Sequence, residues 1–109
     1  MISSGEEGIQ FGTAAALDPE DEIYCQYREP GVFMWRGFTL DNFMNQCFSN
    51  KLDIGKGRQV PVHYGSKKLN MQHISSPLAT QMPQGMLLKH TDDAMHAACF
   101  PQPQDMRMQ

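Results

Sequence analysis

At 109 residues the chain has room for one small domain or for a piece of a larger one, because domains centre near roughly 100–150 residues. With 40% hydrophobic and 19% charged residues it has the composition of an ordinary folded chain, and its formal charge of −3 gives no electrostatic case for binding nucleic acid or an anionic membrane. Cys25, Cys47 and Cys99 form an odd set with no CxxC spacing, which points to neither a disulfide framework nor a zinc cage and suits a reducing compartment.

The N-terminus MISSGEEG has no basic segment ahead of an apolar run and no arginines, so neither a signal peptide nor a transit peptide is expected within the chain. A helix is predicted over residues 4–17, opened by Ser4-x-x-Glu7 in the form of a capping box. DPEDE at 18–22 is an acidic turn, since a proline disfavours a helical residue before it. EIYCQYREPG then runs into Pro30-Gly31, a strong turn signal that leaves Tyr27 and Arg28 on or near a loop. An arginine there suits bidentate recognition of a phosphate or carboxylate, or is simply a surface ion-pair residue.

The clearest helix follows Thr39, which is placed to cap it. Leu40, Phe43, Met44, Cys47 and Phe48 fall at i, i+3, i+4, i+7 and i+8, a stripe expected to be core. Residues 50–72 read as an extended loop with one short strand over 59–64, and GKGR at 55–58 lacks the spacing of a phosphate-cradling loop, so it reads as solvated. In HISSPLATQMPQ, Ser75 or Ser76 is expected to cap a helix with Pro77 at its first position, and Pro83 to kink or end it. The hydroxyls, first-turn carbonyls and glutamine amide of this stretch form a compact set of hard oxygen donors, or alternatively a well-capped helix start. His90, Asp92, Asp93 and His96 read as a surface helix or tail rather than as metal ligands.

Three valines and five isoleucines, scattered singly, leave no run that would make a buried parallel strand. Helices with no sheet to cover are an incomplete layer, which suggests a fragment. No window approaches the 18 or so apolar residues of a spanning helix.

Three long stretches, GEEGIQFGTAAALDPEDEIYCQYREPGVFMWRGF, FMNQCFSNKLDIGKGRQVPVHYG and ISSPLATQMPQ, together resemble the α subunits of the branched-chain 2-oxo acid dehydrogenases, over residues 5–84. Where pyruvate-type subunits carry a glycine-rich GIVGAQ type of sequence, this chain has ISSPLATQ, so the branched-chain class is the one resembled. The resemblance implies an α/β, doubly wound, thiamine diphosphate-binding fold, of which this chain would be a helix-rich fragment lacking most of the parallel sheet. It implies oxidative decarboxylation of branched-chain 2-oxo acids with acyl transfer to lipoamide, in a mitochondrial matrix complex. Its partners would be a β subunit, in an α2β2 heterotetramer, and a lipoyl acyltransferase core.

By the same resemblance Tyr27, Arg28 and Ser76 contact thiamine diphosphate, and Ser75, Pro77, Thr80 and Gln81 hold a structural potassium ion. The family's magnesium ligands have no counterpart in residues 85–109, which diverge from it and are expected to form a disordered tail beyond a partial cofactor-binding domain at 1–84. A catalytically inactive truncated product, acting at most as a subunit-interaction fragment, is the alternative expectation.

Overall fold

The computed structural model describes residues 3–91 and 97–99. In chain order these form α1 (Glu7–Ala16), β1 (Glu22–Tyr24), α2 (Pro30–Trp35), α3 (Leu40–Cys47), a 3-10 turn (Lys67–Leu69), α4 (Gln81–Thr91) and β2 (Ala97–Cys99). No helix among the described residues is long and apolar enough to cross a membrane.

Helix α1 starts three residues after Ser4. Gly5 sits at φ 91 and turns the chain before the helix begins, so Glu7 reaches back to the Gly5 amide at 2.7 Å while Ser4 caps nothing. Neither half of the expected capping box forms, since Glu7 accepts from Gly5 rather than from Ser4. Gln10 and Ala14, one turn apart, are the buried positions of α1 and face α2.

The segment around β1 departs most from expectation. All three residues of Glu22–Tyr24 are buried, and they pair in parallel with β2 in the register Glu22↔Ala97, Ile23↔Ala98, Tyr24↔Cys99. On the other edge Ile23 donates its amide to the Asn70 carbonyl at 2.9 Å and accepts from the Gln72 amide at 3.0 Å. A three-residue segment with one β-branched residue carries almost no intrinsic strand signal; pairing on both edges makes it a strand. The chain is thus helix-rich with a minimal parallel sheet, and the α2–α4 segment lies within the crossover that parallel pairing requires.

Helix α2 replaces the turn expected at Pro30-Gly31. Proline at the first position needs no amide partner and is preset for helix. Its end is a Schellman motif: Gly37 at φ 98, with Phe38 N bonded to Phe33 O at 2.9 Å and Gly37 N to Met34 O at 3.1 Å. The motif's hydrophobic contact is Phe33 against Phe38, edge-on at 5.5 Å.

Thr39 caps α3 as expected, accepting from the Asn42 amide at 3.2 Å. The stripe along α3 is only half core. Phe43 and Cys47 pack against the core, whereas Leu40, Met44 and Phe48 are 70%, 53% and 72% exposed. The helix turns a flank rather than the centre of the stripe inward, because Gln46 occupies the buried position and bonds the neighbouring loop with both ends of its amide, to Val60 O at 2.7 Å and from Val62 N at 3.0 Å. Those two bonds also explain why no strand forms over 59–64: the backbone groups a ladder would use belong to a helix side chain, and Val62 is held at φ 67.

The core is an aromatic cluster on an aliphatic floor. Phe33 meets Tyr64 at 5.8 Å and Phe43 meets Tyr64 at 4.7 Å, both edge-on, while Ile23, Val32, Met71 and Ile74 pack beneath. Burial raises the Tyr64 phenol pKa well above its ordinary value, with the Cys47 Sγ contact at 3.7 Å adding to it, so the ring enters the core neutral.

Arg36, just past α2, ties three segments together. Its guanidinium donates to the carbonyls of Asp18 (2.7 Å), Pro19 (2.9 Å), Asp21 (2.9 Å) and Leu69 (3.1 Å). A lysine has its donors at one point and cannot span these four acceptors. Arg36→Lys is therefore expected to lower unfolding free energy by about 1 kcal/mol and Arg36→Ala by about 2 kcal/mol, part of the set being exposed to water. Thermal melts followed by circular dichroism measure both; equal stability of all three chains would contradict the assignment.

Candidate functional site

The loop that carries Tyr27 and Arg28 leaves β1 and enters α2, and it is held at three points. The Gln26 amide donates to Glu29 Oε2 at 2.6 Å and closes the turn. From α1, the Gln10 side chain donates to the Arg28 carbonyl at 2.8 Å and accepts from the Gly31 amide at 2.9 Å. Position 31 must be glycine for this clamp, since a Cβ there would come within 2.7 Å of Gln10 Oε1. The Arg28 guanidinium carbon lies 5.7 Å from the Tyr27 ring centroid. Among the described residues the buried Arg28 Nε has no hydrogen-bond partner.

Residues 73–81 form the second half. Ser76 Oγ lies 2.6 Å from His63 Nε2. Ser75 Oγ donates to Thr80 Oγ1 at 3.4 Å, and Thr80 Oγ1 donates to the Pro77 carbonyl at 3.0 Å. These oxygens make a neutral set at the entrance to α4, next to Gln81. The helix expected to start at Pro77 starts instead at Gln81, because Ala79 sits in the left-handed region at φ 62. Pro83 consequently falls in the first turn, where no intrahelical amide is required, and it neither ends nor interrupts the helix. The boundary expected after Gln84 lies inside α4; of the tail, residues 92–96 and 100–109, and with them Asp92, Asp93 and His96, lie outside the described residues.

A buried bond joins the two segments. Gln26 Nε2 donates to Gln81 Oε1 at 3.2 Å, between side chains only 1% and 2% exposed. Gln26 Oε1 is itself buried without a partner. The structure therefore joins Gln26, which precedes Tyr27 and Arg28, to Gln81 at the end of the Ser75–Gln81 stretch, over 55 residues of sequence. GKGR, by contrast, is an exposed loop closed on Asp53, whose Oδ2 accepts from Gly57 N at 2.8 Å.

Sequence reasoning missed three residues here: Gln10, Gln26 and His63. A signal for Gln10 exists, since it shares a helix face with Ala14; Gln26 and His63 sit in loops and carry none.

Among the described residues no three His, Cys, Asp or Glu side chains gather to hold a metal. The Ser75, Pro77 and Thr80 oxygens are neutral hydroxyl and carbonyl groups linked by hydrogen bonds. Hydroxyl and carbonyl oxygens replace the hydration shell of a monovalent cation without needing a carboxylate.

The family model described as dehydrogenase E1 component matches residues 1–100. The chain belongs to this family. The family implies thiamine diphosphate dependence and an α/β fold, and a helix-rich chain beside a parallel strand pair agrees with that fold. The 2-oxoisovalerate dehydrogenase subunit alpha, mitochondrial, of Dictyostelium discoideum is 60% identical over 86 residues, covering 79% of this chain and 20% of that protein. Subunit alpha 1 of the same enzyme from Arabidopsis thaliana is 63% identical over 84 residues, 77% of this chain and 18% of its own. The Homo sapiens subunit alpha is 56% identical over 86 residues, 79% and 19% respectively. The chain spans about a fifth of the length of these curated relatives.

Proposed function

We propose that this chain forms part of the α subunit of the decarboxylating component of a branched-chain 2-oxo acid dehydrogenase complex, and that it carries one wall of the thiamine diphosphate pocket. What carries this reading is the buried Gln26–Gln81 hydrogen bond, which ties the arginine loop to the oxygen cluster. Arg28 presents a donor fork to the diphosphate oxygens, with Nε still lacking an acceptor among the described residues. Tyr27 backs the guanidinium, and Ser76 contributes a hydroxyl to the same anion.

Ser75, Pro77, Thr80 and Gln81 hold potassium, which orders the turn that presents Ser76. When bound, thiamine diphosphate supplies the electron sink for loss of carbon dioxide from the 2-oxo acid. The residues of this chain anchor and orient. They position the diphosphate and neutralise part of its charge, and the acyl group passes to the lipoyl arm of an acyltransferase core. A β subunit completes the α2β2 assembly, in the mitochondrial matrix, in keeping with relatives that are named mitochondrial.

A second reading is favoured by the exposed Leu40, Met44 and Phe48. In it the chain is catalytically inert and acts through subunit contacts. Decarboxylase assay with added β subunit and thiamine diphosphate separates the two, since turnover excludes the second.

The cation site has its own test. Potassium at a hundredfold excess over its dissociation constant stabilises the folded state by about 2.7 kcal/mol, so the melting temperature of the wild-type chain rises when potassium replaces a large organic cation at equal ionic strength. In Thr80→Val that rise shrinks or vanishes. Identical potassium responses in both chains would remove Thr80 from the site.

A further inference from the structure

We infer, on the reading of Ser76 as a diphosphate contact, that His63 is a positioning residue whose Nε2 holds the Ser76 hydroxyl in the direction needed to meet that anion. The geometry is local and well fixed. The ring is held at both nitrogens, Nδ1 lying 3.0 Å from the Pro61 carbonyl and Nε2 2.6 Å from Ser76 Oγ. A carbonyl only accepts, so Nδ1 donates to it; with Nε2 protonated as well, Nε2–H donates to Ser76 Oγ and leaves the serine's one proton for the anion.

The loop beneath His63 is braced more heavily than a solvent loop requires. Gln46 bonds the backbone at Val60 and Val62, Tyr64 is locked in the aromatic cluster, and the Ile74 amide bonds Tyr64 O at 2.9 Å, stitching the loop to the strand of chain that leads into Ser75 and Ser76. Val62 is a β-branched residue at φ 67, a conformation that costs free energy and persists where surrounding structure overdetermines it. The strained residue directly precedes the histidine. Ser76 is exposed and His63 half-buried, so a ligand can reach the hydroxyl while the imidazole stays behind it. Serine hydroxyls rotate freely, and a fixed neighbour at 2.6 Å removes that freedom before the ligand arrives.

Isothermal titration of the full chain with thiamine diphosphate in potassium buffer tests this, using amide replacements that divide the ring's two functions. Glutamine puts an amide nitrogen near the place of Nε2; asparagine puts one near Nδ1 and leaves Ser76 without a partner. Affinity is expected to fall about tenfold in His63→Ala and His63→Asn, to stay within about threefold of wild type in His63→Gln, and to show no further loss when His63→Ala is added to Ser76→Ala. A role that was merely structural would show neither the glutamine rescue nor the silence in the Ser76→Ala background.

If the wild-type chain binds, Ser76→Ala weakens binding and His63→Asn does not, the positioning role is wrong and the cofactor reading stands. If wild type and Ser76→Ala both fail to bind or bind alike, Ser76 is not a cofactor contact and the role of His63 falls with it. Melting curves recorded on each variant exclude a loss of affinity that comes from unfolding.

Discussion

Arg28→Ala is expected to weaken thiamine diphosphate binding by roughly one to two orders of magnitude, the range given by removing charge-assisted hydrogen bonds worth about 1.5–3 kcal/mol in total. The size follows from how the residue is prepared. Its backbone carbonyl is gripped by Gln10 at 2.8 Å, its guanidinium lies beside the Tyr27 ring, and its Nε is already out of water with no acceptor among the described residues. Little conformational freedom is left to lose on binding, so most of the bond energy reaches the affinity. Arg28→Lys keeps the charge and loses the fork, and is expected to fall between wild type and alanine. Titration calorimetry at fixed ionic strength measures both, because part of the attraction is screened by salt. An alanine variant that binds within twofold of wild type would show that this loop does not face the diphosphate.

Phe33→Ala is the substitution with the largest expected effect on the fold, a loss of about 3–5 kcal/mol for truncating a fully buried aromatic ring. Phe33 has no exposed surface and touches the cluster on two sides, Phe38 at 5.5 Å and Tyr64 at 5.8 Å. Small domains hold only about 5–15 kcal/mol in total, so the variant is expected to be largely unfolded well below the melting temperature of the wild type, with early loss of the near-ultraviolet signal of Tyr64. Phe33→Leu, which refills most of the volume, should recover more than half of the loss. The consequence reaches the candidate site, since Tyr64 fixes the loop that carries His63. A Phe33→Ala chain melting within a few degrees of wild type would mean that the cluster is not what holds the helices together.

Some of the architecture is legible in the order of residues alone. Thr39 caps α3 because a hydroxyl can reach an amide three residues on, and the acidic turn after α1 follows from Pro19 disfavouring helix at the residue before it. The motifs around Tyr27-Arg28 and Ser75–Gln81 were also recognisable, and the family they point to is the one to which the chain belongs. Other features pointed the wrong way. The helix expected at Pro77 waits until Gln81, and Leu40, Met44 and Phe48 stay at the surface while Gln46 takes the inner position.

By itself, then, the order of amino acids determined the Thr39 cap, the acidic turn at 18–22 and the family, all of which depend on groups a few residues apart or on contiguous motifs. Only the tertiary structure decided that Glu22–Tyr24 is a strand, that the polar residues Gln10, Gln26, Gln46 and Gln81 are buried, and that Gln26 bonds Gln81. Each of these depends on a partner brought from a distance, 55 residues away for Gln26 and Gln81 and 50 for the Glu22–Gln72 side-chain bond. A glutamine in a short window looks like surface, because its amide is costly to bury until a distant backbone or side chain satisfies it.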